Sequence, residues 1–348
     1  MPFNTASSAL PSRPLLSALF WLTILLGADV IASRRCFFGK DAEGWVFFAS
    51  APTFSIVPPV LHDPEDKNLA RSLLPPSARH FLGTDDLGRD AAAVVVHGTR
   101  RSVFTALLAT ATALFFAVVF GAVSGFWGDD KLRVSAPTFF LATIGVLVGG
   151  FFDFWWAKVP VFWGLGAAAG VAAGRLLSRI FRFSTFSFPL DSMAARVGEM
   201  WYAVPAFLAL LVSTALLPHR YYSSGLILGL LQWPPVAWSL RAETKKTVAQ
   251  DYVSAAYASG AGDGRVFWRH VLPNALPAVR PVLLQVAAAS VVAEAAIAFL
   301  GLGPEYVSWG GLMAAARKYP DAWWLAVFPG AALFFFVRFL YKLRGTAS

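Results

Sequence analysis

Charge is scarce in this chain. Asp, Glu, Lys and Arg make up 14% of its 348 residues, and hydrophobic types make up 57%. A soluble domain carries roughly 25% charge, so too few polar residues remain here to clothe a water-facing surface. The apolar residues also gather in blocks long enough to cross a bilayer. A single cysteine, Cys36, excludes an internal disulfide and any Cys-based metal cluster. No Gly-x-x-x-x-Gly-Lys-Ser/Thr phosphate loop occurs, so ATP hydrolysis is not expected on this chain. Paired carboxylates, a His-Glu-x-x-His run and a nucleophile elbow are likewise missing. His62, His80, His97 and His219 have no metal-ligand spacing. Neither an enzyme nor a resident cofactor is expected.

The net charge is +9, but the bases are spread between apolar blocks, which points to membrane anchoring and not to nucleic acid. A span needs about 20 apolar residues to cross roughly 30 Å of hydrocarbon. Candidates are 15–33, 103–126, 137–156, 159–173, 201–217, 225–240, 282–302 and 323–340. The chain therefore reads as an all-α integral membrane protein with about eight spans. A cleaved signal peptide competes for the first block, and Pro234 and Pro235 interrupt the sixth. Residues 34–101, rich in proline, read as an extramembrane loop with little regular structure.

Orientation follows from Lys and Arg in the short loops. Arg175, Arg179, Arg182 and Arg196 form one basic group. Arg241, Lys245, Lys246, Arg265 and Arg269 form a second, and Lys342 with Arg344 a third. These place the 1–14 tail and both termini in the cytoplasm and the 34–101 loop in the periplasm. Arg34 and Arg35 oppose this, but they begin a loop long enough for the rule to lose force. Small residues recur at four-residue spacing, as in Gly121 with Gly125, Gly166 with Gly170 and Gly174, and Gly225 with Gly229. Such pairs let helix backbones approach closely. Trp155, Trp156, Trp323 and Trp324 suit interfacial belts.

The most informative stretch is the loop 241–280. Ala255, Ala256, Ala258 and Ser259 crowd into about one helical turn, and Gly260 then offers a stop. A second helical segment with Val266 and Phe267 ends at Leu272-Pro273. Such a helix–turn–helix is either an ordinary connector or a docking knob for another protein.

These residues resemble the inner-membrane permease components of binding-protein-dependent ABC importers, specifically the C-type subunit of dipeptide, oligopeptide and nickel systems. That family carries a Glu-Ala-Ala run, then a Gly, then a hydrophobic residue before Leu-Pro. Ala255, Ala256, Gly260, Leu272 and Pro273 occupy those places, within the run Arg269-His270-Val271-Leu272-Pro273-Asn274. Further resemblance lies in 82–90, in Arg196, Glu199 and Pro205, in Glu294-Ala295 with 299–303, and in Ser308-Trp309-Gly310. It covers residues 80–127 and 188–337. Two departures stand out. Ser254 replaces the motif's Glu, with Asp251 about one turn earlier as a possible substitute. Residues 129–187 hold two extra helices where the six-span family has a short loop.

The resemblance implies a type I ABC importer helix bundle, a six-span core plus an inserted hairpin, within the permease region 102–348. It implies a heterodimer with a second permease in the inner membrane, two cytoplasmic ATPases and a solute-binding protein that delivers peptides or similar solutes. Coupling residues would be Asp251, Ser254, Ala255, Ala256, Gly260, Asp263, Arg269, His270, Leu272 and Pro273. Glu294, costly within a span, and Glu199 are candidates for the pathway or a subunit interface; Glu294 reads equally as a carboxyl satisfied by a neighbouring helix. Asp153 beside Lys158 reads as interfacial, and His270 as a fixture of the loop more than a pH switch. The turn 83–90 is either a structural anchor or a contact with the binding protein. An ion-coupled secondary transporter using Glu294 is the competing class.

Overall fold

The computed structural model describes residues 36–41, 44–49, 54–56, 67–152, 162–180, 185–216, 221–302 and 307–345. The 1–14 tail, the first span, Arg34, Arg35, His62, Asp153, Trp155, Trp156, Lys158, Arg182 and His219 lie outside the described residues. The proline-rich segment 34–101 holds more regular structure than its prolines suggest. Strands β1 (Cys36–Asp41), β2 (Gly44–Ala49) and β3 (Phe54–Ile56) form an antiparallel sheet in the order β2–β1–β3. Phe, Val and Trp are strong strand formers, and the prolines fall between or after the strands.

Helix α1 (Ala91–Trp127) starts well before the expected boundary at residue 103. Asp90 caps it: Oδ1 accepts from the backbone of Ala92 at 2.9 Å and Ala93 at 3.2 Å, satisfying otherwise orphaned donors. His97, Arg100 and Arg101 made its first turns look like loop. At 37 residues it runs about 55 Å at 1.5 Å per residue. A π segment, Val118–Ala122, interrupts it near the end.

A hairpin follows. The ribbon β4 (Arg133–Ser135) with β5 (Thr185–Ser187) brackets helices α2 (Ala136–Phe152) and α3 (Phe162–Ile180). These helices pack chiefly against each other. A Cβ on Gly170 would sit 2.1 Å from the Leu141 carbonyl oxygen, the backbone approach that small residues permit.

The expected span 201–217 divides at Pro205 into α4 (Leu190–Tyr202) and α5 (Ala206–Leu216). Helix α6 (Tyr221–Val248) runs unbroken through Pro234 and Pro235, contrary to the sequence reading. One of the two missing donors has a substitute. Pro234 cannot supply the helical N–H to the Leu230 carbonyl, and the Trp201 indole Nε1 donates to that oxygen at 2.8 Å.

After α7 (Asp251–Ala258), helix α8 (Asp263–Phe299) is one continuous rod where sequence suggested a short helix and a separate span. It absorbs Pro273, Pro277 and Pro281 by changing pitch, with a π segment at Phe267–Val271 and a 3₁₀ segment at Leu276–Val279. Helix α9 (Trp309–Lys318), capped by Ser308 onto the Gly311 N–H, precedes α10 (Trp324–Gly345).

Helices α1, α6 and α8 form the centre. A Cβ on Gly121 would lie 2.3 Å from the Ala237 carbonyl oxygen, so α1 and α6 meet backbone to backbone. Phe126, Trp233, Val236, Leu240, Val253, Phe267 and Val271 are buried together at one end of this core. Among the described residues, α1, α8 and α10 are long and apolar enough to cross a membrane by length and composition.

Candidate functional site

Helix α7 stands on the surface and is held by few contacts. Val253, 1% exposed, is its buried residue, seated in the cluster of Val266, Phe267 and Val271. Ser259 ends the helix, and Gly260 at φ +84° enters the left-handed region. The Ala261 N–H reaches the Ala256 carbonyl at 3.1 Å, and the Gly260 N–H reaches that of Tyr257 at 2.9 Å. This 6→1 and 5→2 pair is a Schellman closure, which glycine favours because it has no Cβ. The Tyr257 hydroxyl then donates to Asp263 Oδ1 at 2.7 Å, tying α7 to the first turn of α8. Burial, followed by the Asp263 carboxylate, pushes the Tyr257 hydroxyl up to about 12.

The sequence-nominated loop residues divide by exposure. Asp251, Ser254, Ala255, Gly260, Asp263, Arg269 and Pro273 are exposed, and Ala256 and His270 are half-buried. Leu272, 6% exposed, packs in the core beneath α7 and belongs to the foundation of the loop. The Ser254 hydroxyl donates to its neighbour's backbone, the Asp251 carbonyl, at 2.7 Å. The His270 carbonyl accepts from Asn274 Nδ2 at 2.6 Å, so this position helps fix the rod.

Where α4 meets α6, the buried Asp191 joins the two helices. Its carboxylate accepts from Arg241 Nη2 at 2.6 Å, from Arg241 Nε, and from Lys245 Nζ. Burial raises the Asp191 carboxyl, but the hydrogen bonds and charges of Arg241 and Lys245 prevail and hold it below the usual carboxylate range. Beside it, Asp129 accepts from the Ser192 N–H at 2.9 Å and the Ser192 hydroxyl at 2.6 Å. These bonds fasten the approach to the hairpin onto α4.

Glu294 and Glu199 are not brought together. Glu294, 6% exposed, accepts from Arg101 Nε at 2.9 Å between α8 and α1. Glu199 lies exposed on α4 and pairs with Arg196 at 3.3 Å, a surface pair of small energetic weight. The turn 83–90 is held in the fold by its own side-chain bonds. The Asp85 carboxylate, fully buried, accepts from the Leu87 and Arg89 N–H groups at 3.0 and 2.8 Å and from Arg89 Nε at 2.6 Å. His80 Nδ1 lies 2.7 Å from Asp90 Oδ2. Trp324 Nε1 donates to the Thr84 carbonyl at 3.1 Å, which docks α10 on the turn.

Sequence reasoning missed a cleft of about 660 Å³. The α4–α5 turn closes one side, α6 supplies Leu228 and Gln232, and α8 supplies Gln285 and Val286. Gln285, Ala289 and Ala293 follow helical spacing on one face of α8, a pattern hidden in a span read only as apolar. Glu294 is not among the residues that line it.

Compared with known proteins, residues 164–344 match the family described as the binding-protein-dependent transport system inner membrane component. A protein of Brucella suis biovar 1 (strain 1330) is 32% identical over 265 residues, spanning 74% of this chain and 68% of its own; its name assigns it to a peptide transport system as a permease. A protein of Escherichia coli K12, named for a D,D-dipeptide transport system as its permease, is 26% identical over 278 residues, spanning 78% and 72%. A solved amino acid ABC transporter is similar with a TM-score of 0.36 at 15% identity, over 67% of this chain and 92% of that one, a likeness too distant to assign the fold.

Proposed function

The chain belongs to the binding-protein-dependent transport system inner membrane component family, and on that footing we propose that it is one permease subunit of an ATP-driven importer of peptides or similar small solutes. A second permease, most simply a heterodimeric partner, completes the pathway. Two cytoplasmic ATPases drive it, and a periplasmic binding protein delivers the solute. In this reading a six-span core carries the inserted hairpin 129–187 on its periphery, giving about eight spans. Both termini face the cytoplasm, and the segment 241–280, which carries α7 between the end of α6 and the start of α8, faces the ATPases.

One observation carries the proposal: α7 is an exposed knob mounted on the rod whose far half walls the cleft. A partner that grips Asp251, Ser254 and Ala255 pulls on Val253 and on the Tyr257–Asp263 hydrogen bond. Both lead into α8, which then shifts the wall containing Gln285 and Val286. Closure of the ATPases on ATP thus opens and closes the cleft in alternation, a two-state bias set by differential contact. Asp251 supplies the acidic group that the related motif carries at the Ser254 position. The buried Leu272 and the pitch changes around Pro273 and Pro277 keep the rod joined to the core as it moves.

The ion-coupled alternative loses support from Glu294, which is paired with Arg101 and is not among the residues that line the cleft. The test is uptake of labelled tripeptide into proteoliposomes holding this chain with its second permease, ATPases and binding protein. Uptake that requires ATP supports the proposal, whereas uptake driven by a proton or sodium gradient without ATP rejects it.

A further inference from the structure

The cleft between the α4–α5 turn, α6 and α8 has a chemical character that the transport reading alone does not specify. Among the described residues no carboxylate, amine, guanidinium or imidazole lines it; its side-chain amides are Gln232 and Gln285. Gln232 is held in place. Its Nε2 donates to the Leu228 carbonyl at 3.2 Å and lies 2.9 Å from the hydroxyl of the buried Ser290. Both amide hydrogens are thereby used, and Oε1 remains as an oriented acceptor. Gln285, on the facing helix, is exposed within the lining and can donate and accept.

Resting on the importer reading, we propose that this cleft is a subsite for the uncharged middle of a peptide solute, a peptide bond with its apolar side chain, with Gln285 and Gln232 as specificity determinants and the charged termini held outside it. The two amides match the N–H and C=O of a peptide bond in kind. The apolar wall of Leu228, Val286 and Trp201 receives an aliphatic or aromatic side chain. A Lys or Glu side chain entering the cleft gives up hydration and meets no opposite charge, which disfavours it. Discrimination of this sort works by leaving the wrong partner unsatisfied.

The experiment uses the complete reconstituted transporter with one unchanged binding protein, so that any altered preference belongs to the membrane subunits. Probes are labelled Ala-Leu-Ala, Ala-Lys-Ala and Ala-Glu-Ala. Gln285→Glu is expected to raise uptake of the Lys peptide relative to the Leu peptide by about fivefold, the effect of one partly solvated charge pair. Gln285→Lys is expected to raise the Glu peptide in the same proportion, and Gln285→Leu to lower all three while keeping the Leu peptide preferred. Co-purification of the second permease and the ATPases reports assembly for each variant. Ratios that stay fixed in both charged variants overturn the subsite. Loss of the second permease from all three variants also overturns it and assigns the cleft to subunit contact. If the unsubstituted complex takes up no peptide with ATP, the importer reading itself fails; ATP-driven uptake with unshifted ratios defeats only the cleft.

Discussion

The indole of Trp201 donates to the Leu230 carbonyl at 2.8 Å, taking the place of the N–H that Pro234 lacks one turn later. This bond compensates for Pro234 within the unbroken α6, whose Leu228, Gln232 and Pro235 line the cleft.

Trp201→Phe keeps an aromatic ring but removes the donor, leaving a half-buried carbonyl unsatisfied. The expected cost is about 1–3 kcal/mol, seen as a lowered melting temperature of the purified protein in detergent. An unchanged melting temperature would show that the Leu230 carbonyl needs no donor.

The Arg101–Glu294 pair joins α1 to α8. Glu294→Leu alone leaves a half-buried guanidinium without this partner, and about 3 kcal/mol of stability should be lost. Arg101→Met with Glu294→Leu should recover much of that loss, with ATP-driven uptake restored. Thermal unfolding of the single and double variants measures the coupling. If the double variant is stable but inactive, Glu294 has a role in transport beyond packing.

Asp191 ties α4 to α6 through Arg241 and Lys245. Its lowered pKa means that the stabilisation is present above the ordinary carboxylate range and is lost as the pH falls toward the folded-state value. Asp191→Asn should cost about 1 kcal/mol near neutral pH, since both cationic partners are partly solvated. The difference from the unsubstituted protein should shrink once the pH drops below about 4. Unfolding of both proteins across that range checks the sign.

The hairpin α2–α3 is bracketed by β4 and β5, where Ser135 pairs with Thr185. Excising 136–184 and joining those ends through Asn-Gly, a turn suited to a two-residue hairpin, should leave a folded core. The shortened chain is expected to co-purify with the second permease and the ATPases and to support uptake. Loss of assembly would place the hairpin within the core contacts.

Much of the fold was legible because lipid imposes long apolar runs and because glycine spacing reports close helix approach. Gly121 against Ala237 and Gly170 against Leu141 met that expectation. The start of α1 was misplaced because Arg101 reads as a loop residue until its partner Glu294, 193 positions away, is known. Pro234 reads as a break because its compensating donor, Trp201, lies on α4. Asp191 carried no local signal, since Arg241 stands 50 residues farther on. The α7 motif was readable from Ala255, Ala256 and Gly260 because a Schellman stop is a local device. The cleft was not, because it takes residues from α4, α5, α6 and α8.

The central claim is that α7 is gripped by an ATPase, and a disulfide crosslink tests it most directly. Cys36→Ser removes the sole native cysteine, and Ala258→Cys places one thiol on the exposed side of α7. Paired with a cysteine in the ATPase groove, it should form a crosslink whose yield changes when ATP binds, in a complex that still transports. If this variant transports at full rate and no position in the groove captures Ala258→Cys with or without ATP, α7 is only a connector and the account is contradicted.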